Sequence, residues 1–370
     1  MWEITSRGFL PENNPVHSLE FEPEFQDIEY LTSNIPEFLE KKEFRKNAIS
    51  ILNDVGLFCC KNEFPIEVTE KLFKHYCYIA SSYVHAPYVK HISVLPKEIS
   101  IPLVHLANKV SRHPILSYSC YALNNWRLID PELEIKLGNI ELQQNFSLSH
   151  KKDEDWFILV HVDIENSAAK AISVLNDYRK DAFIPPLEVL KSVHDSLINM
   201  NQTMNRMPEN CSEDFYFKAV RPFIFSFENI VYDGCFENKP QTFRGETGAQ
   251  SAIVPSLIAA LGIKHGDTML TKHLEVMREY MPIQHRKFIS DLETMRDNNL
   301  SLRHWVVKQS SGEELYNHCL EELLKFRTKH LEFAINYIQK KVENPTGTGG
   351  TPFIPWLTQL RDETDEYFLR

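Results

Sequence analysis

Residues 312–342, GEELYNHCLEELLKFRTKHLEFAINYIQKKV, contain no proline and no glycine after the first position, and apolar side chains recur at every third or fourth residue. That period is one face of an α-helix. About 30 residues at 1.5 Å rise predict a rod of roughly 45 Å. A rod of that length with one apolar stripe has to bury the stripe against other helices, so the chain is constrained to a helix bundle. The stretches WFILVHVDIENSAAKAISVLNDYRK, PPLEVLKSVHDSLINMNQTMNRM, TGAQSAIVPSLIAALGI, TKHLEVMREYM and IQHRKFISDLETMRD share the period. DFYFKAVRPFIF predicts a further helix, interrupted by Pro222. Glycine supplies only 12 of 370 residues, against an average of about 7%, which favours helices over a turn-rich sheet. The expected fold class is all-α.

A chain of 370 residues exceeds one typical domain. Residues 1–35, rich in Pro, Asn and Glu, are expected to wrap the surface ahead of the first helix. From 36 to 142 the helical patterns are short, punctuated by Pro65, Pro87, Pro96, Pro102 and Pro114. FSLSHKKDEDW, residues 146–156, is polar and without apolar period, and marks a domain junction. Asp153 or Asp155 there suits the N-cap of the helix that follows. The expected division is a smaller, mostly helical domain over 1–148, capping a larger helical domain over 149–370.

The net charge of −11 argues against a nucleic-acid partner, which a basic patch would announce. MWEITSRGFLPENNP has neither a basic start nor an apolar run, so it does not resemble a secretory signal. AIVPSLIAALGI is too short to span a bilayer. Seven cysteines, with no CxxC and with Cys59 beside Cys60, suit a reduced, cytoplasmic compartment better than a disulfide framework or a zinc site.

Five features carry possible chemistry. His330 lies on the stripe of the long helix with Leu320, Leu323, Arg327 and Ala334. Taken alone, such a histidine is more often a core residue hydrogen-bonded to a neighbour. The alternative is a neutral imidazole holding haem iron from one side, with Arg327 one turn away for a haem propionate. His161 lies on the stripe Phe157, His161, Ile164, Ala168. The small Ala168, Ala169 and Ala171 let another element or a flat ligand approach. It is a core histidine or a distal-pocket group. Arg221 stands among Phe215, Tyr216, Phe217, Val220 and Phe223. Arginine is seldom buried without a partner, so it pairs with an internal acid or clamps a substrate carboxylate. FRGETGAQSA, 243–252, can offer backbone N–H groups to an anion at a helix start. TGTGGT, 346–351, lacks the lysine of a phosphate loop and is a surface linker or a mobile lid. His285, after Pro282 at a helix start, is the rival ligand and is expected to cap or to be exposed. His105, His113, His194 and His318 lack an apolar face with small neighbours, and no HExxH or paired-histidine spacing occurs.

The blocks SYSCYALNNW, WFILVHVDIENSAAKAI, YFKAVRPF, FRGETGAQSA, MREYMPIQHRKF, LKFRTKHLEF and GTGGT occur in the order in which the indoleamine 2,3-dioxygenase family carries similar ones. The similarity is good over residues 100–370 and looser before them. It implies haem b with His330 as the proximal ligand, Arg327 beside the haem, and Thr247 and Gly248 near substrate and haem edge. It implies Phe157 packed on the substrate indole, Arg221 on its carboxylate, Tyr118 and Tyr121 lining the inner pocket, and Tyr216 where the family has a substrate-touching phenylalanine. Thr348 would reach the substrate ammonium or carboxylate. The implied reaction adds both atoms of O2 across the indole C2–C3 bond of L-tryptophan or a related indoleamine, giving N-formylkynurenine, the first step of tryptophan catabolism by the kynurenine pathway. An electron donor is needed only to re-reduce ferric haem, and the implied state is a monomer. His161 stands where vertebrate members carry serine and offers an acceptor for the indole N–H. Glu246 stands where glycine is common, and Ile258 where an acid pairs with the equivalent of Arg327. These differences leave open oxygenation of another indole, or a haem-binding sensor.

Overall fold

The computed structural model describes residues 1–19, 23–52, 55–88, 92–180, 184–341, 347–348 and 353–370. It is 63% helix and 6% strand, an all-α fold as the periodicity predicts. In chain order the helices are α1 Gln26–Ser33, α2 Ile35–Glu40, α3 Phe44–Ile51, α4 Val55–Lys61, α5 Ile66–His85, α6 Lys97–Lys109, α7 Lys151–Arg179, α8 Pro186–Met204, α9 Glu213–Phe215, α10 Ile253–Ala260, α11 Met269–Arg278, α12 Ile283–Asp297, α13 Leu302–Gln309, α14 Glu313–Tyr337 and α15 Phe353–Asp365. No helix among the described residues is long and apolar enough to cross a membrane.

The N-terminal helices pack around α5, which has neither glycine nor proline inside it and is buried along most of its length. It begins after Pro65, whose backbone is extended, and ends before Ala86-Pro87, where the proline disfavours a helical residue ahead of it. The C-terminal bundle is built on α7, α8 and α14, with α8 packed against both of the others. Pro186 sits at the first turn of α8, where its missing N–H costs nothing. Two small sheets tie the chain together. Strand β1, Val94–Leu95, pairs parallel with β4, Phe227–Tyr232, which pairs antiparallel with β5, Pro240–Phe243. Strand β2, Trp126–Leu128, pairs antiparallel with β3, Ile140–Leu142.

Residues 1–19 are not a surface wrap. Trp2, Phe9 and Leu10 are buried in the core, and the Trp2 indole N–H donates to Glu70 Oε1 at 2.6 Å. Gly8 adopts φ +63° with its Cα against α7, and a Cβ there would stand 2.8 Å from the Ala169 Cα. The small face of α7 is therefore taken by a chain segment, not by a flat ligand. Helix α7 starts at Lys151, inside the polar stretch that showed no period. Neither Asp153 nor Asp155 caps it: the N-cap is His150, without a side-chain bond. Instead Glu154, fully buried, turns back to accept the Phe146 N–H at 2.9 Å and the Ser147 N–H at 2.8 Å. A first-turn carboxylate that captures the preceding backbone leaves no apolar trace in sequence. The expected helix at 214–225 is three pieces: α9, a π-helical turn Tyr216–Val220, and a 3₁₀ turn Arg221–Ile224. Pro222 cannot donate to a helix ladder, and the turn before it widens. Helix α14 has 25 residues and ends at Tyr337 rather than running to Val342.

Candidate active site

A cavity of about 600 Å³ lies between α7, α10 and α14. Its wall includes Tyr118, Phe157, His161, Tyr216, Thr247, Gly248, Arg327, His330 and Thr348. Tyr121 and Arg221 do not line it. Both are buried, and Tyr216, on the wall, lies within electrostatic reach of each.

His330 projects from α14 while Leu320, Leu323, Arg327 and Ala334 of the same stripe are buried. Its ring is exposed, yet protein surrounds it, so the exposure is to the cavity. Burial, then the nearby His161 and Arg327, push its pKa down to about 4, so the ring is neutral at physiological pH. No described residue hydrogen-bonds to it, which removes the reading of a satisfied core histidine.

His161 lies across the cavity on α7. Its Nδ1 is 2.7 Å from the Phe157 carbonyl, an obligate acceptor, so Nδ1 carries the proton and Nε2 keeps its lone pair. Burial lowers its pKa, so this tautomer is uncharged. Phe157 packs 4.7 Å from His161 and 4.6 Å from Tyr216, and Tyr118 stands edge-on to His161 at 6.0 Å. These rings form one aromatic cluster on the wall, and Val254, Ile258, Ile263, Leu270 and Leu357 are among its aliphatic residues.

Two π-helical turns deliver site residues: Ser119–Leu123 carries Tyr121, and Tyr216–Val220 carries Tyr216 and leads into Arg221. The Arg221 guanidinium lies 4.6 Å over the Phe225 ring and 5.6 Å over Phe217, and burial lowers its pKa. The turn 244–251 is held by close contacts. A Cβ on Gly245 would collide with the Ile224 carbonyl. Thr247 caps the short 3₁₀ turn Gly248–Gln250. Gly248 opens on space, with nothing within 4 Å of a would-be Cβ. Thr348 is fixed from both sides: its hydroxyl donates to the Glu246 carbonyl at 2.5 Å and its carbonyl accepts from Ser226 at 3.0 Å. Gly349, Gly350 and Thr351 of the GTGGT block lie outside the described residues.

Arg327 is engaged by protein. Its guanidinium donates to the Leu360 carbonyl and, at 3.2 Å, to His265 Nε2. His265 Nδ1 in turn donates to Glu363 at 2.5 Å. Burial and Arg327 push the His265 pKa down to about 4, in keeping with a neutral ring that bonds on both nitrogens. Ile258 leaves Arg327 without an acid on α10, and Glu363 of α15 supplies one through His265.

His285 is neither exposed nor a cap. It is buried at the start of α12, 4.6 Å from the Phe9 ring and 5.5 Å from Trp2, away from the cavity. Among the described residues no cluster of three or more His, Cys, Asp or Glu could hold a metal ion. Sequence reasoning passed over Gln250, whose amide accepts the Tyr118 N–H at 2.9 Å and donates to the Gly245 carbonyl at 2.9 Å. It also passed over Glu165, bonded to Ser251 at 2.7 Å, and Tyr337 on the cavity wall. Only the apolar period of α7 and α14 pointed toward the last two.

A neutral imidazole with no hydrogen-bond partner among the described residues thus faces a deep and mostly apolar slot in a helical fold. The sequence profile of the family described as Indoleamine 2,3-dioxygenase matches residues 1–345. The chain is 30% identical to Indoleamine 2,3-dioxygenase 1 of Mus musculus, over 75% of this chain and 74% of the relative. It is 24% identical to Indoleamine 2,3-dioxygenase of Saccharomyces cerevisiae, over 96% and 90%. It is also similar to a Myoglobin of Haliotis madaka, 26% identical over 74% of each chain. The chain belongs to the indoleamine 2,3-dioxygenase family.

Proposed function

We propose that the protein is a haem-dependent dioxygenase acting on L-tryptophan or a closely related indoleamine, with N-formylkynurenine as the product from tryptophan. The observation that carries this reading is His330, unpartnered, facing His161 across one apolar cavity. The residues fit haem b: His330 would hold its iron through a ring nitrogen, Val254, Ile258, Ile263 and Leu270 would line an apolar slot, and Gly248, which opens on space, would leave room beside Thr247. When bound, the haem supplies the redox-active iron at which O2 and the indole C2–C3 bond react.

The protein's own part is placement. Phe157 and Tyr216, packed on each other, present one aromatic face to the indole. His161 Nε2, held as an acceptor by the Phe157 carbonyl, receives the indole N–H. Arg221, off the wall and next to Tyr216, would meet the carboxylate after a side-chain rearrangement, and Tyr118 lines the inner end with Tyr121 beyond the wall. Thr348 edges the entrance. The aromatic and aliphatic walls exclude water. Arg327 stiffens the proximal helix through Leu360 and His265. The small N-terminal unit, 1–148, contributes Tyr118 and Tyr121, and the larger unit, 149–370, the remainder.

Losing Arg221 tests the amino-acid part of this reading. A hydrogen-bonded charge contributes about 1.5–3 kcal/mol, so Arg221→Leu should raise KM for L-tryptophan about 10- to 100-fold. Binding of indole itself, which has no carboxylate, should not move. An unchanged KM would remove the clamp. A second reading, a haem protein without turnover, rests on the similarity to the Haliotis madaka myoglobin. Single-turnover behaviour would favour it.

A further inference from the structure

Glu246 has no part in the site described above, yet its side chain lies on the cavity wall beside Tyr216 and Thr247 and is 5% exposed. Its backbone is used: the N–H donates to the Ile224 carbonyl at 3.0 Å and the carbonyl accepts from Thr348. Its carboxyl meets no donor among the described residues. Tyr78, Tyr118, Tyr121 and Tyr216 are the titratable groups that face it. Residues 342–352, which flank Thr348, contain no Lys, Arg or His. Burial alone raises the carboxyl to about 8. An apolar site does not keep an uncompensated acid unless something else uses it.

We infer that Glu246 is the recognition site for the α-ammonium of a zwitterionic indole amino acid, and so sets specificity for substrates that carry an amine. This rests on the tryptophan reading. Tyr216 is within electrostatic reach of both Arg221 and Glu246, so a substrate backbone held beside Tyr216 can turn its carboxylate toward the one and its ammonium toward the other. The ionised carboxyl is the form that binds the cation, so affinity for L-tryptophan rises with pH through about 8, until the ammonium itself loses its proton.

The test is equilibrium binding of L-tryptophan, tryptamine and indole-3-propionate to haem-loaded wild type, Glu246→Gln and Glu246→Gly, at pH 7 and 9. Glu246→Gln should weaken L-tryptophan and tryptamine at least 10-fold and abolish the gain between pH 7 and 9. Indole-3-propionate, without an amine, should bind as before or more tightly, which also reports an intact fold. Glu246→Gly should show the same selectivity. Equal weakening of all three ligands, or no change in any, would overturn the inference and leave the dioxygenase reading standing. Wild type that binds none of the three would sink both.

Discussion

His330→Ala protein is expected to purify without stoichiometric haem and to lose at least 100-fold in turnover. The slot would keep its shape, because Leu320, Leu323 and Ala334 remain packed, but the one histidine of α14 on the cavity wall would be gone. His161 sits on α7 rather than on the helix of His330, and its Nδ1 is spent on the Phe157 carbonyl, which leaves Nε2 for the indole N–H. His161→Ala should therefore retain haem and lose rate, the opposite division of effects. Added imidazole should restore haem absorbance to His330→Ala, since the void left by the ring admits it. Full haem content in His330→Ala after dialysis would remove His330 from the role.

Glu70→Ala should lower stability by about 3–5 kcal/mol, the usual cost of stranding one partner of a buried ion pair. Glu70 binds the Arg112 guanidinium and the Trp2 indole, and all three are buried. Arg112 also lies 4.9 Å over the Phe73 ring and donates to Ser119, at the head of the π-helical turn that carries Tyr121. Without the carboxylate, a guanidinium remains in the core with no counter-charge beside it. Against a total stability of about 5–15 kcal/mol, that is a large share. A urea unfolding curve would read it as a lower midpoint with an unchanged slope. A shift below about 1 kcal/mol would show that the pair is not needed.

Much of the fold was legible because long helices write their period into the chain. Helices α8, α12 and most of α7 and α14 follow the apolar stripes closely. What escaped was written in other terms. The start of α7 depends on Glu154 capturing the backbone of 146–147. The burial of residues 1–10 depends on Gly8 meeting the alanines of α7, a contact across more than 150 residues. The five short strands have too few residues for a period to show. The site divides in the same way. His330 and His161 could be read from their stripes, but the free nitrogen of His330 and the tautomer of His161 are facts of three-dimensional neighbours. Arg327 was legible as a second group beside the cavity, but its bond to His265, and through it to Glu363 of α15, was not. Both π-helical turns were silent in sequence, although Pro222 marked where the second one ends.

The central claim is that this cavity directs both atoms of O2 into an indole amino acid. The direct measurement is mass-spectrometric analysis of product from reduced, haem-loaded protein, L-tryptophan and isotopically labelled O2. N-formylkynurenine with two labelled oxygens, formed over many turnovers, is the result expected. Protein that binds haem and tryptophan yet forms no labelled product would contradict the account.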